Sequence, residues 1–556
     1  MFKPFLLAVT LVLSPVPALA AGGVVSSADP RATEAGREIL RQGGSASDAA
    51  MAMMLALTVV EPQSSGIGGG GFLVHHDAAT KKMETIDGRE TAPASATPQL
   101  FMGADGKPVG FRDAFQGGHS VGVPGNIRLM AETHKRWGKI GWAKIFAPAI
   151  RLADQGYTVN KTLAGRLAMM APLWDRFPEA RAIYWEQGKP KAEGATIRNP
   201  ALVKLLRDVA QKGPDAFYTG THGKAIVAAV SKSPVNPVPL TLADLAAYKV
   251  RDRAALCAPY RRFTVCGMGP PSSGATTILQ MLGMLERFDL KAMGKDEPKS
   301  WHLIAEAMML AYADREKYLG DPDFVQVPVA GLLDRTYLAS RSALISPDTS
   351  LAAYEAGTPP GAQPRTAAIS GEVAGTTHFV AVDGAGNVAS MTSTIEGPFG
   401  SQLIASGMFL NNELTDFTFA PEKDGAPVAN RVEAGKRPLS SMAPTIVYDE
   451  TGRPVLALGS AGGKRIIMHI AKTLIGYMDF GLPAAEAIAL PNLYFGGDAV
   501  MIEQGSALET QLPALNTLGR AVVAADLPSK VNAVEWTGAG WRGAADPRSE
   551  GVALAE

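Results

Sequence analysis

The chain has 556 residues, 46% of them hydrophobic, enough for a large core and two or more structural units. Lys plus Arg and Asp plus Glu both number 53, which excludes a global attraction to nucleic acid or to an anionic membrane. The 59 glycines and 39 prolines demand many tight turns and exclude a coiled coil, and there is no internal repeat of fixed period.

The chain opens with Lys3 ahead of a short apolar run, then Pro15, Pro17 and Ala18-Leu-Ala20. Residues 1–20 therefore read as a secretory signal peptide cut after Ala20, because the run is too short to span a membrane comfortably. Its removal takes away Lys3 and leaves 52 basic against 53 acidic side chains, a net charge of −1. No later segment reaches transmembrane length without charges or breakers. The expectation is an exported soluble protein, periplasmic in a bacterium.

Residues 29–57 carry helical periodicity with many small side chains. They lead into Ser64-Ser-Gly-Ile-Gly-Gly-Gly-Gly71. A phosphate loop would need a following Gly-Lys-Ser/Thr, which is absent, so close backbone packing beside a strand is the better account. His75-His76-Asp77 ends an apolar run and reads as a polar strand end, not a ligand set. Residues 120–330 alternate helical segments with Gly/Pro turns. The two cysteines, Cys257 and Cys266, bracket residues 258–265, which suit a tight hairpin. Facing positions lie within disulfide reach and an oxidising compartment favours a bridge, with two buried thiols as the alternative. No His or Cys spacing fits a metal site. Residues 346–375, rich in Ala, Gly, Pro, Ser and Thr, read as a flexible connector.

Next comes Gly375-Thr-Thr-His-Phe379 at the head of an apolar run, then a turn through Gly384-Ala-Gly-Asn387, then Val388 to Thr394. Two alternating runs around a Gly/Asn turn predict a β-hairpin. Symmetry about Ala385 sets Thr376 opposite Thr394. A threonine preceded by glycine, with a second hydroxyl across the strand, suits one unusual chemistry. Its hydroxyl attacks the preceding carbonyl, the chain is cut, and the freed α-amine becomes a base. An ordinary hairpin with surface threonines is the competing reading from these residues alone. Strands are expected to dominate onward to Gly463, followed by a helix over residues 465–477.

Several further blocks narrow the choice. They are the glycine run at 64–71, Asp87-Gly-Arg-Glu-Thr-Ala-Pro93, Gly213-Pro-Asp-Ala-Phe-Tyr-Thr-Gly220 and Pro270-Pro-Ser-Ser-Gly274. Then follow Ala311-Tyr-Ala-Asp-Arg-Glu-Lys-Tyr-Leu-Gly-Asp-Pro322, Thr376-Thr-His378, Asn411-Asn-Glu-Leu-Thr-Asp416, Lys436-Arg-Pro-Leu-Ser-Ser-Met442 and Ser460-Ala-Gly-Gly463. In this order, over nearly the whole mature chain, they resemble the γ-glutamyltransferases (glutathione hydrolases) of the N-terminal-nucleophile hydrolase superfamily. The resemblance implies an α+β fold, a four-layer αββα sandwich with additional helices from the large subunit. It implies a proenzyme that cuts itself between Gly375 and Thr376. Residues 21–375 would form the large subunit and 376–556 the small catalytic one, held together as a heterodimer.

The resemblance also distributes roles. Thr376 is the nucleophile, Thr394 orients it, and the backbone amides of Gly462 and Gly463 form the oxyanion hole. A γ-glutamyl group ends in a zwitterion, whose carboxylate wants a fork of donors. Arg89 fits that need, with hydroxyls from Ser440 and Ser441. Its ammonium wants carboxylates, and Glu413 and Asp416 fit. No metal or organic cofactor is implied. Partners are glutathione or another γ-glutamyl compound, and water, an amino acid or a peptide as acceptor.

Two departures stand out. Two residues after Thr394, where the best-known glutathione-cleaving members carry asparagine, this chain has Glu396. Inside the pocket it would set three carboxylates around one ammonium and raise at least one pKa; pointing outward it would change nothing. The loop over residues 418–439 is shorter than in members that fold a lid over the pocket, and no aromatic gate is evident in it. The expected function is cleavage of γ-glutamyl amides through a Thr acyl-enzyme. The alternatives are an acylase of the same fold, akin to cephalosporin acylases, and an exported binding protein on an inactive scaffold.

Overall fold

A computed structural model describes residues 22–367, 375–496 and 499–556. The expected signal peptide, and residues 368–374 of the connector, lie outside the described residues.

Two antiparallel sheets stack face to face. The first has seven strands, in spatial order Val552–Ala555, Val24–Ser27, Thr377–Val382, Val388–Thr394, Gly70–Asp77, Lys82–Asp87 and Arg251–Asp252. The second has six, in the order Trp541–Ala545, Asn532–Trp536, Pro454–Gly459, Thr445–Tyr448, Phe263–Gly267 and Leu256–Tyr260. Alternation along one strand shows why they stack. Phe379 and Ala381 join the apolar cluster shared with helices Pro30–Arg41 and Ala46–Val60, whereas Val380 and Val382 join the cluster shared with the second sheet. A strand buried on both faces reads as a continuous apolar run, as this one does. Helices Gly274–Leu285 and Arg465–Met478 cover the far side of the second sheet. The layers are helix, sheet, sheet, helix, as the resemblance implies. Helix Ala46–Val60 is buried along its whole length and is started by a Ser45/Asp48 capping box.

Segments before and after Thr376 interleave strand by strand. In the first sheet Val24–Ser27 pairs with Thr377–Val382, and Gly70–Asp77 pairs with Val388–Thr394. In the second, Phe263–Gly267 pairs with Thr445–Tyr448.

The hairpin has the predicted register. Thr377 faces Ser393 and Val382 faces Val388, around a turn held by Asp383 Oδ1, which accepts from the amides of Ala385 and Asn387 at 3.0 Å each. The glycine run packs as predicted: a Cβ at Gly69 would lie 2.0 Å from the Thr394 carbonyl oxygen, and one at Gly68 2.0 Å from that of Phe409. His75 stacks on Trp137 and His76 packs edge-on to Tyr448. Cys257 and Cys266 face each other across their hairpin and form a disulfide at the sheet edge, away from the site below. Strands are sparser between residues 395 and 444 than expected, where short pairs and a 3-10 turn, Glu413–Asp416, lie among irregular segments. This stretch satisfies its backbone through side chains instead. Asn411 accepts from the amides of Gly122 and Glu413 (2.9 and 3.1 Å) and donates to the Gly68 and Gly122 carbonyls (2.8 and 2.9 Å).

Candidate active site

The site grows from the head of the inner strand that begins at Thr377. Gly375 is wedged so tightly that a Cβ there would lie 2.0 Å from the Glu396 carbonyl oxygen. Thr376 follows with φ of 135°, a conformation that costs a β-branched residue about 1–3 kcal/mol. Its Oγ1 lies 3.1 Å from Thr394 Oγ1, which also accepts the Glu396 N–H at 2.8 Å. The register that sets these threonines opposite each other therefore brings the hydroxyls into hydrogen-bond contact. Thr377 is anchored from behind, its hydroxyl donating to Glu61, which also takes Lys530 Nζ at 2.5 Å.

One cavity gathers most of the predicted set: Arg89, Thr376, Thr394, Glu396, Glu413, Asp416, Ser440, Ser441 and Gly463. Gly375 and Gly462 instead line an adjoining cavity that shares Thr376. Arg89 is fully buried, and its fork is not open as the sequence reading expected. Nη1 pairs with Glu413, Nη2 pairs with Asp416 and donates to the Leu439 carbonyl (2.9 Å), and Nε donates to that of Pro438 (3.2 Å). Of the five N–H groups of a guanidinium, one on Nη1 has no hydrogen-bond acceptor, and Glu90 Oε2 lies 3.8 Å from that nitrogen. The reason is electrostatic: a buried cation next to two buried carboxylates pairs with them rather than stay unsatisfied. Burial would lower the Arg89 pKa, but Glu413, Asp416 and Glu90 outweigh it and hold the guanidinium charged.

Glu396 lines the cavity and accepts from Asn412 Nδ2, so the first of the two alternatives for this residue holds. The consequence falls on Glu413, whose carboxyl is pushed well above its ordinary range by burial and by the Glu90 and Glu396 charges, against the pull of Arg89. Glu90, also buried, is pushed up to about 7 by burial. Among the described residues no N–H or O–H donor reaches Glu90 Oε1, Glu90 Oε2 or Glu413 Oε2, so burial leaves both groups poorly satisfied as carboxylates.

Ser440 and Ser441 are set by the Pro270-to-Gly274 turn and by a buried arginine. Ser440 N–H donates to the Pro271 carbonyl (3.0 Å), and Arg315 reaches Ser441 Oγ at 2.8 Å and Ser273 Oγ at 2.9 Å. Gly462 and Gly463 have φ of 128° and 61° and join strand Pro454–Gly459 to helix Arg465–Met478. Among the described residues neither amide has a hydrogen-bond partner, as an oxyanion site requires. The loop over 418–439 has one aromatic side chain, Phe419, stacked on Phe101 and Phe111 and not lining the cavity. The sequence reading missed Glu61, Glu90, Arg315, Asn412 and Lys530. For Glu90, Arg315 and Asn412 the signal was their place inside three of the blocks that carry the resemblance.

A four-layer αββα fold with a threonine hydroxyl at the head of an inner strand, over a cavity of acids and one arginine, defines an enzyme of the N-terminal-nucleophile hydrolase class. The family model described as gamma-glutamyltranspeptidase matches residues 32–556, and the chain belongs to that family. The chain is 36% identical over 509 residues to a glutathione hydrolase proenzyme of Bacillus subtilis, covering 89% of this chain and 84% of that one. It is 34% identical over 549 residues to an acylase ACY 1 proenzyme of a Pseudomonas species (97% and 94% covered). The crystal structure of a cephalosporin acylase from Bacillus halodurans superposes with a TM-score of 0.85 at 26% identity, covering 99% of both chains.

Proposed function

We propose that the chain is an exported proenzyme that cuts itself between Gly375 and Thr376 and then cleaves γ-glutamyl amides such as glutathione. The observation that carries this reading is the 3.1 Å contact between the Thr376 and Thr394 hydroxyls, on the wall of a pocket whose charges match an amino-acid end. In processing, Thr376 Oγ attacks the Gly375 carbonyl, the peptide C–N bond breaks, and water opens the resulting ester. The strained φ of Thr376 favours this step, because that dihedral ceases to exist once the bond is cut. The interleaved strands support two pieces, 21–375 and 376–556, that stay together as a heterodimer. The disulfide suits an oxidising compartment such as the periplasm.

In the processed enzyme the α-amine of Thr376 takes the hydroxyl proton as Oγ attacks the γ-carbonyl. The oxyanion is met by the amides of Gly462 and Gly463, and the amine leaves with the proton. Water or an acceptor amine then repeats the attack in reverse order. The substrate carboxylate is read by the remaining Arg89 N–H with Ser440 and Ser441, and its ammonium by Asp416, Glu396 and Glu413.

The acylase reading is favoured by one observation, Glu396 in the pocket, together with the acylase relatives. Charge argues against it. An anionic acyl group without an ammonium would face three carboxylates with no cation of its own. Turnover of γ-glutamyl-p-nitroanilide beside the same anilide lacking the α-amine tests the choice. Preference for the γ-glutamyl donor supports the proposal; preference for the deamino donor overturns it.

A further inference from the structure

His469 lies about one turn into helix Arg465–Met478, the helix that follows the glycine pair, and it is buried. Its Nδ1 is 3.0 Å from Ser460 Oγ, and Ser460 Oγ is 3.3 Å from the Ala461 carbonyl oxygen. The ring also packs against the loop directly, since a Cβ at Gly462 would lie 3.3 Å from His469 Cε1. One buried ring thus meets the loop at both Ser460 and Gly462. It lines neither cavity around Thr376, so any influence on the chemistry passes through the loop.

The direction of each hydrogen bond follows from proton counting. A serine hydroxyl has one proton. Donated to the Ala461 carbonyl, it leaves Ser460 Oγ to accept, so Nδ1 must be the donor. Burial, with the Lys472 and Arg465 charges and against the pull of Asp546, pushes the ring pKa down to about 3, so the imidazole is neutral and holds one N–H. The nearby Ala461 carbonyl favours a proton on the ring.

The carbonyl at the end of this relay matters because the peptide unit is planar. The Ala461 C=O and the Gly462 N–H belong to one rigid trans unit and point in opposite directions. Fixing the oxygen therefore fixes the direction of the N–H. Gly462 needs such a hold, because at φ of 128° it has a glycine's wide freedom, and its amide has no partner among the described residues.

We propose that His469 is the positioning residue of the oxyanion site: through Ser460 it holds the Ala461–Gly462 peptide so that the Gly462 N–H points at the reacting carbonyl. The inference rests on the oxyanion role given to Gly462 under the proposed function and adds the group that enforces it.

His469→Asn and His469→Gln separate positioning from bulk. An asparagine amide reaches the place of Nδ1 and donates to Ser460, whereas the longer glutamine amide overlays Nε2 and does not. With γ-glutamyl-p-nitroanilide, H469Q should lower kcat about 10- to 100-fold with KM changed less than about twofold, because outright loss of an oxyanion donor costs roughly 100- to 1,000-fold. H469N should keep kcat within about threefold of wild type. A boronic acid analogue of glutamate forms a tetrahedral adduct on Thr376 and presents an oxygen to the oxyanion site. Its affinity should fall in H469Q in step with kcat, while glutamate itself binds unchanged. Wild-type kcat in H469Q, equal losses in both variants, or equal weakening of glutamate and boronate would overturn the assignment, the last two showing a role in folding alone. Ring-nitrogen NMR on histidine-labelled protein needs no substrate, so it tests the relay separately from the γ-glutamyl reading. A neutral ring protonated at Nδ1, with its signal absent from H469N, supports the inference; a proton at Nε2 overturns it.

Discussion

Replacing Gly375 with alanine is the sharpest perturbation of self-cleavage available. The added Cβ would lie 2.0 Å from the Glu396 carbonyl oxygen, with the Glu396 and Gly397 carbonyl carbons at 3.0 and 3.2 Å. All three are backbone atoms, so no side chain can rotate away. Restoring an ordinary contact of 3.4 Å requires the scissile carbonyl and the Glu396–Gly397 backbone to part by about 1.4 Å, and a displacement of even about 1 Å costs a positioned reaction roughly 100-fold. That factor corresponds to about 2.7 kcal/mol in the barrier. The assay is a time course of purified precursor followed by intact mass. G375A should accumulate as a single chain and mature about 100-fold more slowly than wild type. Once cut, it yields the same small subunit, so nitroanilide activity should appear with the same lag as the fragments. Processing of G375A at the wild-type rate would refute the geometric argument.

Three further outcomes follow from the pocket. Arg89→Lys keeps a charge but cannot bridge Glu413, Asp416 and the Pro438 and Leu439 carbonyls; the KM for γ-glutamyl-p-nitroanilide should rise about tenfold or more, and an unchanged KM would remove Arg89 from substrate binding. Glu396→Gln retains an acceptor for Asn412 but deletes a charge, so discrimination against the deamino donor should weaken by about tenfold; an identical substrate profile would show that the charge is irrelevant. The third outcome concerns pH. Glu90 has its pKa raised in the folded state to about 7, so its contribution to stability is present below the unfolded carboxyl value near 4.5 and is lost as pH rises through 7. Glu90→Gln should flatten the fall in unfolding free energy between pH 5 and 8 by up to about 3 kcal/mol. A parallel pH profile for variant and wild type would contradict the raised Glu90 carboxyl.

The hairpin was readable because strand alternation and a Gly/Asn turn define a register by local rules, and that register alone sets Thr376 against Thr394. The glycine run was readable for a similar reason: four residues without side chains mark where one backbone touches another. The residues of the acyl pocket were readable through ordered sequence blocks, but their state was not. That Glu413 and Asp416 occupy the Arg89 fork depends on a contact across 324 and 327 positions. The support of Ser441 by Arg315 spans 126 positions, and the Glu61–Lys530 pair behind Thr377 spans 469. No local pattern encodes such pairs, because they exist only after two sheets have stacked. The orientation of Glu396 was likewise undecidable from sequence, since its φ of 75° breaks the strand alternation that would have predicted its side.

The central claim is that Thr376 becomes an N-terminal nucleophile. Intact mass and N-terminal sequencing of the purified protein, with a γ-glutamyl-p-nitroanilide assay on the same sample and on Thr376→Ala, test it most directly. The account predicts two fragments, one beginning Thr376-Thr377-His378, with release of nitroaniline, and a single inert chain for T376A. Release of nitroaniline by uncut T376A would contradict it.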